Sequence, residues 1–178
     1  MTTSSQSDRE AAAALAEAVD NLPLALEQAA AYVRQTGVSL ADYLKLFREQ
    51  EEAGIPDTAQ YPKPLATTCR ISFQKLKEES PAAADLLTLC AFLAPDDIPL
   101  ETIAEGAENL PESFAATAGD MEALSRAAAT LQDYSLAKVR AGSFLSLHRF
   151  VQSITRDHLT QDAAKIWAEA AIHLVNEA

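Results

Sequence analysis

Apolar residues recur three and four positions apart along most of this chain, the spacing of one helix face. Leu22, Leu26, Ala29, Ala30 and Val33 form one such stripe, and Leu40, Tyr43, Leu44 and Phe47 form the next. Leu65, Cys69, Phe73 and Leu76 continue the pattern, followed by Ala83, Leu86, Leu87, Cys90 and Leu93. Leu124, Ala127, Ala128 and Leu131 mark a further helix, and Ile166, Ala170 and Leu174, with Trp167 beside them, mark the last. One stretch breaks the period. From Tyr134 to Asp157 the apolar residues Leu136, Phe144, Leu145 and Leu147 flank a turn at Arg140-Ala141-Gly142-Ser143, where Gly142 can take a positive φ at no steric cost. Helical spacing then resumes with Phe150, Val151 and Ile154. The stretch reads as strand, turn, strand, helix, with His148 at the strand-to-helix junction.

Local punctuation divides the rest. An Ala-rich helix from about Glu10 to Val19 stops at Asp20-Asn21, and Pro23 suits the first position of its successor, where a missing N–H costs nothing. Gly37 predicts a C-cap. Ser39 with Asp42 three residues on is a weak capping box, and Ser80-Pro81 and Asp120 are further helix starts. Pro95-Asp96-Asp97 is a stop, after which Ile98-Pro99 opens a short helix carrying Leu100 and Ile103. Glu105 to Gly119, acidic and holding Pro111, reads as a surface loop. The predicted organisation is a disordered leader at 1–9, a small helical domain at 10–53, a Pro-containing linker at 54–64, a winged-helix domain at 65–160, and a helix at 161–178. That last helix ends without a clear C-cap, so the natural protein is expected to continue. The fold class is mainly α: a small helical bundle, then a winged helix whose wing is a two-stranded β-hairpin.

Composition agrees with this and limits function. Among 178 residues only 5 are Gly, while 48% are hydrophobic and much of that is Ala and Leu, a helix-forming balance. The formal net charge of −12 repels phosphate backbones and anionic membrane surfaces. The nearest thing to a basic patch is Lys138, Arg140 and Arg149 around the wing, read as ordinary solvated charges or contacts to another domain. The 2 cysteines, Cys69 and Cys90, lie in helical apolar patterns and read as buried free thiols. The first residues are too polar for a signal peptide, and the longest apolar run, near Leu86 to Ala94, is too short to span a bilayer. These points predict a cytoplasmic protein.

Known catalytic motifs are missing. The glycines are too scattered for a phosphate loop or a dinucleotide fingerprint. There is no nucleophile elbow and no zinc-protease motif. His148, His158 and His173 have no Cys or carboxylate at metal-ligand spacing. The reading is that this chain is not itself an enzyme.

Two segments are familiar together. Asn21-Leu22-Pro23-Leu24-Ala25 resembles the GLPLA motif of the NB-ARC family of signal-transduction (STAND) ATPases, with Asn21 in place of the usual glycine. Leu147-His148-Arg149-Phe150-Val151-Gln152 resembles the VHRLVQ form of that family's winged-helix sensor motif. Between them, Ala66-Thr67-Thr68 through Phe73, Ser80-Pro81-Ala82-Ala83-Ala84 and Leu89 to Pro95 fit the same family, so the similarity runs from about Leu15 to His158.

The resemblance implies the helical and winged-helix parts of a nucleotide switch whose P-loop ATPase domain lies elsewhere in cis, with a downstream repeat domain, often of tetratricopeptide repeats, and a homo-oligomer on activation. It implies ADP or ATP in the whole protein and none held tightly here. Leu22, Pro23 and His148 are the implied nucleotide-binding residues: a proline offers a rigid apolar face to adenine, and the histidine donates to the β-phosphate of ADP. Plant relatives carry Asp after that histidine, whereas Arg149 stands here. Two other functions compete. A DNA-binding winged helix would need Arg126 and Gln132 of the Asp120–Gln132 helix to read a groove amid many alanines. A protein-interaction scaffold would need no nucleotide at all.

Overall fold

The computed structural model describes residues 2–54, 61–140 and 143–177. It is mainly α, with ten α-helices and one small antiparallel sheet among the described residues. The chain divides into two compact units, Met1–Ser72 and Phe73–Ala178.

The first unit holds α1 (Thr2–Ala18), α2 (Pro23–Thr36), α3 (Leu40–Glu52) and the start of α4 (Lys63–Glu79). Helix α1 begins at Thr2, within the stretch expected to be a disordered leader. Asp20 and Asn21 both take left-handed φ values of 53° and 54°, a conformation these two side chains tolerate well, and this reverses the chain into α2. Gly37 closes α2 in the left-handed region at φ 71°. Ser39 caps α3 by accepting from the Asp42 N–H, and its hydroxyl donates to Asp42 Oδ2 at 2.6 Å. Most of the expected linker, residues 55–60, lies outside the described residues. The boundary between units falls inside α4 rather than in that Pro-containing stretch.

Tyr43 and Phe47 are fully buried in the first core, with Val19, Ala25 and Ala29. A polar group sits among them. Gln28 is fully buried, and its Oε1 accepts from Thr68 Oγ1 at 2.9 Å and from Cys69 Sγ at 3.1 Å. Burial pushes the Cys69 thiol up to about 12, against the opposing Gln28 hydrogen bond. Cys90, buried in the second unit, is raised by burial as well. Thiolates are the reactive species, so both sites are chemically quiet. A thiol-disulfide reagent is therefore expected to titrate two thiols per chain in denaturant and none in the native protein over the same minutes.

The second unit holds the end of α4, then α5 (Pro81–Cys90), β1 (Ile98–Pro99), α6 (Leu100–Glu105), a 3₁₀ turn at Ala107–Asn109, α7 (Glu112–Ala118), α8 (Met121–Asp133), β2 (Ala137–Arg140), β3 (Phe144–Leu147), α9 (Arg149–Asp157) and α10 (Gln161–Glu177). Helix α5 is central, with Leu86, Leu87 and Leu89 buried to within 1% exposure. Ser80 caps it by accepting from the Ala83 N–H, and Asp120 caps α8 by accepting from Glu122 and Ala123.

The sheet has the order β1-β3-β2, with β2 and β3 as the expected hairpin. Gly142 lies outside the described residues, and Ser143 beside it has φ 64°. Three expectations for this unit are corrected. Ile98-Pro99 is a strand rather than a helix start: it pairs antiparallel with Leu145 and Phe144, and α6 begins only at Leu100. Proline is tolerated there because β1 is an outer strand. Glu105 to Gly119 is not a loop, since Pro111 opens α7 and Phe114 is fully buried. In α10 it is Trp167, not Ile166, that turns inward with Ala170 and Leu174, and Ile166 is 53% exposed. The indole packs on Phe114 with ring centroids 6.1 Å apart. Gly106 lets α10 approach closely, because a Cβ there would fall 2.5 Å from Leu174 Cδ1.

A partly buried carboxyl bridges α5 and α7. Burial raises Asp85 above the usual carboxylate range, opposed by the Ser113 hydroxyl, which donates to Oδ2 at 3.2 Å, and by Lys77. A carboxyl that keeps its proton more readily in the fold favours folding fully at pH below its unfolded value, and that contribution is lost as pH rises through the folded value. Asp85→Asn, which stays neutral and can still accept from Ser113, is expected to raise the thermal midpoint at neutral pH. The gain should vanish in acid, where Asp85 is protonated in both states.

Candidate functional site

Helix α9 follows directly from β3, the middle strand of the sheet, so the residue between them is set by both. That residue is His148. Its backbone is extended, at φ −70° and ψ 138°, and its ring serves as the helix N-cap. Nδ1 accepts from the Phe150 backbone N–H at 3.2 Å, taking the place usually filled by a Ser or Asp oxygen. The imidazole lies against the Phe150 ring, with centroids 5.2 Å apart and planes tilted by 38°. His148, Arg149 and Phe150 are all exposed.

A nitrogen that accepts a hydrogen bond cannot carry the proton, so in the neutral ring the proton is on Nε2. The site therefore offers an N–H donor at the positive end of a helix, with the exposed Arg149 next in sequence. Such an arrangement suits an oxyanion. On the wing, Lys138 and Arg140 are exposed, and Arg140 Nη1 pairs with Asp97 Oδ1 at 3.1 Å.

The opposite face of α9 fixes it in place. Val151 and Ile154 are buried at 1% exposure, and Gln152 is buried between them in sequence at 5%. Gln152 Nε2 donates to the carbonyls of Cys90 at 2.8 Å and Leu93 at 3.0 Å. The Arg156 guanidinium donates to the Ala91 carbonyl and, at 3.2 Å, to Ser153 Oγ. These carbonyls lie at and just beyond the end of α5, where the Cys90 carbonyl accepts otherwise only from the Leu93 N–H at 3.3 Å, and a cation beside them also complements the helix dipole. Sequence reasoning named Gln152 only as the end of a motif, with no role, and did not name Arg156. The available signal was Gln152 itself, an amide within the apolar stripe of α9, where a polar group must find a partner. His158 ends α9 with its Nδ1 2.6 Å from the Ile154 carbonyl.

Leu22 and Pro23 stand together at the start of α2 in the first unit, whereas His148 belongs to the second. Leu22 is the N-cap residue, half-buried, and makes no side-chain cap. Pro23 opens the helix and is exposed. The helix-start role of Pro23 and the capping role of His148 are thus both present in the fold. Among the described residues no helix is long and apolar enough to cross a membrane.

No curated protein and no solved structure matched the chain. Residues 71–164 match a family described as a domain of unknown function, DUF7779. The match begins in α4 two residues before the second unit, contains the sheet, His148 and the Gln152–Arg156 contacts, and ends early in α10. Because it spans more than half of the sequence, this chain belongs to the DUF7779 family.

Proposed function

We propose that this chain is the regulatory helical and winged-helix part of a STAND/NB-ARC type nucleotide switch. It senses whether ADP or ATP occupies a P-loop ATPase domain in cis, and relays the change from a closed to an open state. The observation that carries the reading is the exposed His148 ring, whose Nδ1 is occupied by the Phe150 N–H, leaving Nε2 as the donor. Leu22 and Pro23, at a rigid helix start, supply the apolar contact to the base. A charge-assisted hydrogen bond is worth about 1.5–3 kcal/mol, which biases a closed-to-open equilibrium roughly ten- to a hundredfold. This chain performs no catalysis in the proposal; hydrolysis belongs to the ATPase domain. A downstream repeat domain, a cytoplasmic location and homo-oligomerisation after opening complete it.

DNA binding by the wing and α8 is the second reading, and local contacts weigh against it. Arg126 pairs with Glu122 along α8, and the Gln132 Oε1 is occupied by the Val139 N–H at 2.9 Å. Neither side chain that would have to read a base edge is disengaged.

The test is His148→Ala in the protein that carries the ATPase domain. The variant is expected to fold, to lose bound ADP about ten- to a hundredfold more readily, and to signal without stimulus. Unchanged ADP retention would refute the sensor role, and tight binding of this chain to duplex DNA at low salt would favour the second reading.

A further inference from the structure

We propose that Gln28, Tyr43 and Ser72 bind one internal water in the core of the first unit, which ties α2, α3 and α4 together. All three side chains are fully buried. Gln28 Nε2, the Tyr43 hydroxyl and Ser72 Oγ are each without a hydrogen-bond partner among the described residues. All are donors, with two hydrogens on the amide and one on each hydroxyl. A buried donor left unmade costs stability, and native cores seldom leave one. Three in one core call for a shared partner. Arg70 Nε is unpartnered too, but its guanidinium is turned to the Gln50 carbonyl near the end of α3.

The three groups converge on Cys69. Gln28 Oε1 accepts from Thr68 Oγ1 and Cys69 Sγ, so its lone pairs are used, and the amide nitrogen on the same carbon is held beside that turn of α4. Ser72 follows Thr68 and Cys69 at helical spacing, on the same face. Tyr43 reaches in from α3. Its ring packs on Tyr32, one turn after Gln28 on α2, with centroids 5.2 Å apart. Burial raises the Tyr43 phenol above its ordinary range, and the Cys69 thiol raises it further, which sets the hydroxyl near that sulfur. The three polar groups do not bond one another. A molecule that accepts from the amide and the phenol and donates to the serine oxygen satisfies them all. Water has that pattern, and internal waters commonly make about three hydrogen bonds. An anion would carry its charge into a site whose donors are all neutral. The site is independent of the nucleotide reading.

Two measurements on the whole chain test it. Oxygen-17 relaxation dispersion counts long-lived internal waters by their oxygen and is blind to hydrogens exchanging on hydroxyls. The wild type is expected to show such a water, and the double variant Tyr43→Phe, Ser72→Ala, which leaves it the amide alone, to show one fewer. Tyr43→Phe by itself keeps the ring and deletes the O–H. Its thermal midpoint should fall by roughly 2–8 °C, the shift for one lost hydrogen bond. A phenol with no partner gives the opposite sign, because deleting it removes a desolvation cost. A midpoint raised by Tyr43→Phe therefore overturns the proposal. So does a wild type without a long-lived water, or a dispersion amplitude equal in the wild type and the double variant. Should the double variant not fold, Ser72→Ala supplies the comparison, with the amplitude expected to fall and an unchanged amplitude counting as refutation.

Discussion

Phe114→Ala is expected to cost the second unit about 3–5 kcal/mol, the range for deleting a fully buried aromatic side chain. In a chain of this size the thermal midpoint should fall by roughly 10 °C. The size of the effect follows from position. Phe114 is completely buried on the short helix α7, and its ring faces Trp167 of α10. Its loss opens a cavity between two helices that pack against α5 and cannot collapse freely around it. The effect is easy to follow because Trp167 is the 1 tryptophan of the sequence, so its fluorescence reports on this contact alone. A midpoint within about 2 °C of the wild type would mean that α7 is not part of the core.

Gln152→Ala is the second large effect, and it tests a different kind of force. The side chain donates two hydrogen bonds to carbonyls at the end of α5; its removal takes this donor from the Leu93 carbonyl and leaves the Cys90 carbonyl with only the Leu93 N–H, 3.3 Å away. An acceptor left unsatisfied costs about 1–3 kcal/mol, and a loss in that range is expected. Gln152→Leu, close in size but without donors, should recover packing and little of the stability. If it restored the wild-type midpoint, the hydrogen bonds would be worth nothing and the apolar stripe everything. Arg156→Lys should fall between: the charge stays near the α5 C-terminus, but one guanidinium cannot be replaced by an ammonium in reaching both Ala91 and Ser153.

What the sequence made legible was local. Gly37, Ser39, Ser80 and Asp120 act on backbone groups within four residues of themselves, and each stands where its chemistry places it. The hairpin was legible because Leu145 and Leu147 alternate beside a turn. Strand β1 was not, since Ile98 and Pro99 are extended only because a strand far along the chain pairs with them. Helix α7 carries too few large apolar residues to show a period; its one large anchor, Phe114, stands alone among small and polar residues. Periodicity gave α10 an apolar side without deciding between adjacent Ile166 and Trp167, and contact with Phe114 decided it. For the site, the junction position of His148 was readable, as was its capping of local backbone. The direction of its remaining proton depends on the Phe150 amide, which only coordinates reveal.

The borders of the small sheet carry a last consequence. On one side the Val139 amide is already taken by Gln132, and on the other the strand is two residues long and ends in proline. A foreign extended peptide would find few dangling amides to zip onto, so recruitment by strand addition is closed off here. Concentrated solutions of this protein should accordingly resist cross-β aggregation that starts from this sheet. A binding partner for the wing would have to be recognised through side chains.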